Sequence, residues 1–224
     1  MSREFKLLVF DWDGTLMDSE ARIVACARAA AESMSIESPS DEAIRNIIGL
    51  GLMEALEVLF PGSERAFKER FIEHYRRYFL HEDSTPSLLF PGAREALEQL
   101  AESGDYMLAV ATGKGRPGLN KVLVETGLQE HFHATRCADE TFSKPHPEML
   151  LQIMDELGVE PGDTLMIGDT EYDLQMAINA KTHSLAVSYG VHEVGRLQAL
   201  EPLGCLDDIA QLRGWLETRK ESIN

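Results

Sequence analysis

The sequence predicts an α/β fold in which helices cover both faces of a parallel sheet and an all-helical segment interrupts the chain. Three observations lead to this prediction. From residue 87 onward, short apolar runs alternate with amphipathic segments, as in parallel sheets with helical crossovers. The apolar run Leu7–Phe10 predicts a further buried strand near the start of the chain. Residues 17–86, between these parts, show helical spacing and no strand pattern.

Residues that begin or end helices divide the helical segment. Ser40 is a favourable N-cap, with Asp41 and Glu42 in the first turn that follows. Gly49 and the pair Pro61-Gly62 interrupt the helical pattern. The predicted helices of this segment cover residues 20–35, 40–48, 53–60 and 63–80.

Beyond the helical segment, four apolar runs predict strands, and amphipathic stretches between them predict helices. The predicted strands cover residues 106–111, 134–137, 164–167 and 184–187. The predicted helices cover residues 93–103, 117–125, 147–157, 171–180 and 209–217. We therefore expect residues 1–16 and 87–224 to form an α/β core, with residues 17–86 inserted as a helical cap.

Composition and charge limit the expected partners and location. Lysine and arginine total 21 against 38 aspartates and glutamates, for a formal net charge of −17. Nucleic acids and anionic membranes attract basic patches, so we expect neither as a partner. Three scattered cysteines, an apolar run too short for a signal peptide and the lack of a membrane-length apolar stretch predict a cytoplasmic protein. The oligomeric state stays open.

The segment Phe10-Asp11-Trp12-Asp13-Gly14-Thr15-Leu16-Met17-Asp18-Ser19 follows the first predicted strand directly. Asp11 therefore lies at the carboxyl end of a strand, where open α/β sheets bind ligands, and Asp13 lies two residues further on. Two close carboxylates repel each other unless a cation or a proton lies between them. An acidic turn would explain Asp-x-Asp alone, but the complete motif after a buried strand is more specific.

Later strand ends and loops have side chains suited to phosphate chemistry. Thr112 can donate its hydroxyl to a phosphate oxygen, and Gly113 lets backbone amides approach. Lys144, beside a proline, can neutralise a nucleophile and a developing phosphoryl charge. Asp169 and Asp173, one helical turn apart, offer the hard oxygen ligands that Mg²⁺ requires. Each feature alone also fits an ordinary turn, a surface lysine or a helix cap.

In this order, the four pieces resemble the four motifs of the haloacid dehalogenase superfamily, subfamily IA. The resemblance implies a Rossmann-like core and a phosphatase that forms an aspartyl-phosphate. It implies that Asp11 is the nucleophile, that Asp13 is the general acid and base, and that Lys144 orders the charges. Thr112 would bind the phosphoryl group, together with Gly113.

The same resemblance implies a Mg²⁺ cofactor and a small phosphorylated metabolite as the substrate. Asp11 and Asp169 would bind the ion, and the backbone carbonyl of Asp13 would be a further ligand. Asp173 would support the metal site, through water.

The inserted helical segment resembles the C1 cap of this superfamily. Its Arg45-x-x-x-Gly49-Leu50-Gly51 is similar to the cap signature of the phosphoglycolate-phosphatase-like branch, and Gly168-Asp169-Thr170-Glu171-Tyr172-Asp173 also fits that branch. Arg45 is a candidate anchor for a substrate carboxylate or a second phosphate. Lys114 and Arg116 can add positive potential near the mouth of the site.

Other activities stay open on the sequence alone. Within the superfamily they are nucleotidase, pyrophosphatase and phosphosugar mutase. A phospho-acceptor signalling domain is the alternative from a different class, because it also combines a phosphorylated aspartate with a Mg²⁺ site, a threonine and a lysine. Such a domain has no cap and needs no second aspartate like Asp13.

Overall fold

The structure, a computed structural model, describes residues 5–221 and is built around a six-stranded parallel sheet. In chain order the strands are β1 (Leu7–Phe10), β2 (Met17–Asp18), β3 (Leu88–Leu89), β4 (Met107–Thr112), β5 (Ala134–Cys137), β6 (Thr164–Gly168), β7 (His183–Val187) and β8 (Cys205–Leu206). The helices are α1 (Glu20–Ser33), α2 (Asp41–Asn46), α3 (Leu52–Leu59), α4 (Arg65–Arg77), α5 (Ala93–Ser103), α6 (Arg116–Thr126), α7 (Glu148–Leu157), α8 (Glu171–Ala180), α9 (Val194–Gln198) and α10 (Leu212–Glu221).

Helices cover both faces of the sheet, whose strand order is β5-β4-β1-β6-β7-β8. Leu8 and Phe10 of β1 point to the face where α5, α6 and α10 pack. Leu7 and Val9 point to the opposite face, against α7 and α8. All four side chains are fully buried, which explains why β1 reads as a continuous apolar run and not as an alternating one. The predicted α/β class, with a Rossmann-like core, is confirmed.

Helices α1–α4 and a π-helical turn (Tyr78–Glu82) form the inserted unit between β1 and β4, which we call the cap. Its interior has two apolar clusters, one around Ile23 and Ile44 and the other around Leu56 and Phe71. The Ser40 side chain accepts a hydrogen bond from Ala43 N, as its predicted role as an N-cap requires.

The expectation that residues 17–86 contain no strand is wrong at Met17–Asp18. This strand pairs antiparallel with Leu88–Leu89, so a two-stranded ribbon joins the core where the chain enters and leaves the cap. Two-residue strands are too short to give an alternating pattern.

Two further elements and some bounds differ from the prediction. Strand β8 and helix α9 are short elements that the pattern did not predict, and α10 begins at Leu212, after a 3₁₀ turn. Residues 1–4 and 222–224, which belong to the predicted core segments, lie outside the described residues. None of the helices described between residues 5 and 221 combines the length and apolar character needed to cross a membrane.

Candidate active site

The strand register brings the predicted residues to one edge of the sheet. Phe10 pairs with Val110 of β4 on one side and with Ile167 of β6 on the other. Asp11 follows Phe10 directly, and Thr112 and Asp169 come two residues after Val110 and Ile167. Asp11, Thr112 and Asp169 therefore lie at the carboxyl ends of neighbouring strands. This is the edge at which parallel sheets place their ligands.

Lys144 lies at the centre of this edge, and its side chain is fully buried. Its Nζ is 2.7 Å from Asp11 Oδ1 and 2.6 Å from Asp173 Oδ1. Burial alone would lower the pKa of Lys144, but the charges of Asp11 and Asp173 outweigh it and raise that pKa. The lysine is thus a permanent cation between two buried carboxylates.

Three carboxylates face this one ammonium. Asp11, Asp169 and Asp173 each offer an oxygen within 4.8 Å of the other two, and all three residues are buried. Burial, followed by the repulsion of Asp173 and Asp169, raises the pKa of Asp11 well above its ordinary value, although Lys144 acts in the opposite direction. When all three carboxylates are ionised, the cluster has an excess of two negative charges.

The donor set of this cluster fits a divalent cation. Asp11 Oδ2 is buried and has no hydrogen-bond partner among residues 5–221. Buried carboxylate oxygens without a partner are costly, and hard oxygens of this kind are the ligands that Mg²⁺ requires. Asp11, Asp169 and Asp173 can therefore bind a metal ion together.

Asp169 is fixed by two donors from distant parts of the chain. Thr15 Oγ1 donates to Oδ1 at 2.8 Å, and Val191 N donates to Oδ2 at 2.9 Å. Burial and the charge of Asp173 nevertheless raise the pKa of Asp169 to about 7. Gly14 has a φ of +82° and lies so close that a Cβ there would be 2.2 Å from Asp169 Oδ2, so only glycine fits at this turn.

The two carboxylate oxygens of Asp173 have different partners, one in the first turn of α8 and the other in the charged cluster. Its Oδ2 accepts bonds from Thr170 N at 3.1 Å and from Thr170 Oγ1 at 2.7 Å, in the capping box that begins α8. Its Oδ1 faces Lys144. The capping box of α8 therefore fixes the orientation of a carboxylate that belongs to the charged cluster.

Asp13 has its own pair of donors, separate from the cluster. Ser19 Oγ donates to Asp13 Oδ1, and Lys114 Nζ lies 2.8 Å from the same oxygen. The Lys114 ammonium also lies 4.4 Å from the ring centre of Phe79, which belongs to the cap. The sequence suggested only positive potential for Lys114; its position two residues after Thr112, on the same loop, is the signal that could have revealed this contact.

The strand end at Thr112 lies against the cap. Thr112 Oγ1 accepts a hydrogen bond from Lys114 N at 3.2 Å, which leaves its own proton available to donate. A Cβ on Gly113 would lie 2.5 Å from the carbonyl oxygens of Gly49 and Leu50. Gly113 therefore permits the close approach of the Gly49-Leu50-Gly51 loop of the cap.

A second contact between cap and core surrounds Asn46, at the end of α2. Its backbone oxygen accepts from Tyr172 Oη at 2.9 Å and lies 3.2 Å from His192 Nε2, while Arg196 Nη1 donates to its Oδ1 at 2.8 Å. Glu171 N donates to His192 Nδ1. Burial, and secondly the charge of Arg196, lowers the pKa of His192, which favours the neutral ring that this pair of contacts requires.

The other predicted cations lie outside this cluster. Arg45 is exposed on α2, and its Nε lies 2.5 Å from Glu20 Oε1. Arg116 forms an ion pair with Glu140, with 2.6 Å between Nη2 and Oε2. The role of Arg45 as a substrate anchor stays a prediction.

Comparisons with known proteins agree with this geometry. Residues 8–187 match the family described as haloacid dehalogenase-like hydrolase. A Dickeya dadantii protein named "Probable phosphatase IndB" is 35% identical over 212 residues, which cover 93% of this chain and 92% of the relative. A phosphoglycolate phosphatase of Agrobacterium fabrum is 30% identical over 215 residues, with 92% of this chain and 90% of the relative covered.

A solved structure has the same architecture. The crystal structure of a hydrolase from Pseudomonas syringae superimposes with a TM-score of 0.83 at 25% identity, and the match covers 95% of this chain and 98% of that one. The family match spans most of the chain, including Asp11, Thr112, Lys144 and Asp169. The chain therefore belongs to the haloacid dehalogenase-like hydrolase family.

Proposed function

We propose that this enzyme is a Mg²⁺-dependent phosphatase that hydrolyses a small phosphate monoester through an aspartyl-phosphate on Asp11. One observation carries the proposal: a buried carboxylate with an unpartnered oxygen, Asp11, lies beside a buried ammonium and two further carboxylates. Residues 1–16 and 87–224 would act as the catalytic core, and residues 17–86 as the cap. The names of the relatives, a phosphatase and a phosphoglycolate phosphatase, support the same reaction class.

In the first step, an oxygen of Asp11 attacks phosphorus and the bond from phosphorus to the ester oxygen breaks. Lys144 favours the ionised form of Asp11, against the effect of burial, and offsets the charge that the phosphoryl group brings. The Thr112 hydroxyl, which has its proton available, can donate to a phosphoryl oxygen. Asp13 gives its proton to the departing alcohol, so the leaving group departs neutral.

In the second step, water attacks the phosphorus of the aspartyl-phosphate, Asp13 takes a proton from that water, and the bond to Asp11 breaks. Inorganic phosphate and ionised Asp11 result. Asp13 alternates between acid and base, and its contacts with Ser19 and Lys114 hold the carboxylate in one orientation for both steps.

The cluster of Asp11, Asp169 and Asp173, with the Asp13 carbonyl, would hold the Mg²⁺ ion, Asp173 through water. When bound, the ion supplies positive charge to the phosphoryl oxygens and to the nucleophile. The small phosphorylated metabolite and the cytoplasmic location expected from the sequence belong to this proposal as well.

The test is to quench the enzyme in acid during turnover of an activated phosphate ester and to map the phosphoryl group by peptide mass spectrometry. We expect a Mg²⁺-dependent adduct on the peptide that contains Asp11, and neither adduct nor turnover in Asp11→Asn. Asp18→Asn is the matched control, because Asp18 is an exposed aspartate of the same segment. Turnover by Asp11→Asn, or an adduct on another residue, would reject the nucleophile assignment.

A panel of nucleotides, pyrophosphate and sugar phosphates distinguishes the other activities of the superfamily.

A further inference from the structure

A cavity of about 90 Å³ lies between the cap and the sheet edge, and Asp11 and Asp13 are among the residues that line it. This volume is several times what one water molecule needs, so a small organic group fits. The cap contributes apolar side chains to its wall: Ile23, Ala27, Ile44, Ile48, Leu56 and Phe71. The alcohol part of a phosphate ester attacked by Asp11 would enter this space.

The two cationic side chains in the wall already have acidic partners. Lys114 Nζ lies 2.8 Å from Asp13 Oδ1, with only 6% of its side chain exposed. Arg76 Nη2 lies 3.3 Å from Asp139 Oδ2. Arg45 is not among the residues that line the cavity. Within residues 5–221, the cavity therefore offers no unpaired cationic side chain to a second anionic group.

Among the residues that line the cavity, Tyr75 has a side chain that is polar and uncharged. Its ring stacks on Phe79 at 6.0 Å between centres, and its hydroxyl has no hydrogen-bond partner in the part of the chain that the structure describes. A buried anion without a cationic partner is strongly disfavoured, whereas burial of apolar surface is favourable. The wall thus selects against a charged leaving group and for an apolar one.

We propose that the enzyme prefers phosphate monoesters whose leaving group is uncharged and mostly apolar, bound in the cap cavity lined by Ile23, Ile48 and Leu56. This substrate class rests on the proposed phosphatase function. A carboxylate-bearing substrate such as phosphoglycolate is a poorer fit, because its second anion would face the apolar wall.

The test compares kcat/KM for methyl, ethyl, propyl and butyl phosphate with kcat/KM for phosphoglycolate, at saturating Mg²⁺. Primary alkyl phosphates have leaving groups of nearly equal basicity, so differences among them report the cavity. Each buried methylene contributes about fourfold to kcat/KM. We expect a rise of about this size per carbon until the cavity is full, and butyl phosphate to exceed phosphoglycolate by about tenfold or more.

A variant that fills the cavity provides a second measurement. Ala27→Leu adds volume at a residue that lines the cavity, so it should lower kcat/KM for butyl phosphate much more than for methyl phosphate. Ala29→Leu is the control, because Ala29 lies on the same helix and does not line the cavity. A merely structural effect would lower kcat/KM for both substrates by the same factor.

The outcomes separate the two proposals. Turnover of phosphoglycolate as fast as, or faster than, butyl phosphate would overturn the preference and leave the phosphatase intact. A flat alkyl series, or equal losses for both esters in Ala27→Leu, would also overturn the cavity assignment. Failure to hydrolyse any of these esters, or an activated aryl phosphate, would reject the phosphatase function and the preference with it.

Discussion

Replacing Asp169 by asparagine should stabilise the metal-free protein while it removes the response to Mg²⁺. Asp169 belongs to a buried cluster of three carboxylates, of which the other two, Asp11 and Asp173, form ion pairs with Lys144. Burial and the charge of Asp173 raise the pKa of Asp169 from the ordinary 3.8 to about 7. In the absence of a cation, ionisation of Asp169 therefore lowers the stability of the native state.

The magnitude follows from the two pKa values. Between pH 4 and pH 7 the native state binds more protons than the unfolded state, so stability is lost as the pH rises through this range. At pH 8 the loss is about 4 kcal/mol, and at pH 5 it is about 2 kcal/mol. Asparagine cannot ionise and does not show this loss. The free energy of unfolding of the variant, relative to wild type, should therefore rise by about 2–3 kcal/mol from pH 5 to pH 8.

Asparagine also loses part of the hydrogen bonding to Thr15 and Val191, because only one of its two terminal atoms accepts. This loss is about 1–3 kcal/mol and does not depend on pH. At pH 8 the variant should be more stable by about 1–3 kcal/mol, which raises Tm by about 2–12 °C for a chain of this size. At pH 5 the two proteins should be nearly equal.

The assay is urea unfolding in EDTA at both pH values, followed by titration with Mg²⁺ at pH 8. Wild type should gain stability with the logarithm of the Mg²⁺ concentration, and Asp169→Asn should gain much less. Asp208→Asn is the control, since Asp208 is exposed and accepts a bond from Ala210 N, which asparagine can keep. A stability difference between Asp169→Asn and wild type that stays constant from pH 5 to pH 8 would refute the electrostatic account of this cluster.

Three further substitutions test other parts of the site. Lys144→Met should destabilise the protein in EDTA by about 3–5 kcal/mol in urea unfolding, because it leaves buried carboxylates without a counter-charge; Lys121→Met, at a partly exposed ion pair with Glu125, should change stability by less than about 1 kcal/mol. Asp13→Asn should lower kcat by about 10²–10⁴ in a phosphate-release assay while inorganic phosphate still binds in a calorimetric titration, and near-normal kcat would contradict its role as acid and base. Asn46→Ala removes the side-chain acceptor of Arg196 and weakens this contact between cap and core, so it should raise KM with little change in kcat; an unchanged KM would show that the contact does not help to position the cap for substrate binding.

The sequence predicts most of the core because its signals there are local. Strands such as β1 and β6 are buried on both faces and therefore appear as continuous apolar runs. The ribbon of Met17–Asp18 and Leu88–Leu89 has no such signal, since two residues per strand show no period and the pairing joins distant parts of the chain. Strand β8, with two residues, lacks a sequence signal for the same reason.

The same distinction applies to the candidate site. Asp11, Lys144 and Asp169 follow strands or stand in marked loops, so their neighbourhood could be inferred from the order of the strands. The bond from Thr15 to Asp169 spans 154 positions, and it depends on the exact path of the turn at Gly14. Such contacts follow from packing, which local sequence patterns do not describe.

The charge balance explains why the site is assembled from separate segments. Three carboxylates with one ammonium among them repel one another. If all three belonged to one flexible loop, the loop would change conformation and the carboxylates would separate. Here Asp11 and Asp169 follow strands anchored in the sheet core, and Asp173 is held by the first turn of α8. The rigidity of these three supports, which comes from burial on both faces of the sheet, keeps the carboxylates together before a cation arrives. Repulsion within the cluster lowers the free energy of unfolding of the metal-free protein, and a bound cation should relieve this repulsion. We therefore expect this free energy to contribute to metal affinity when Asp169 is intact.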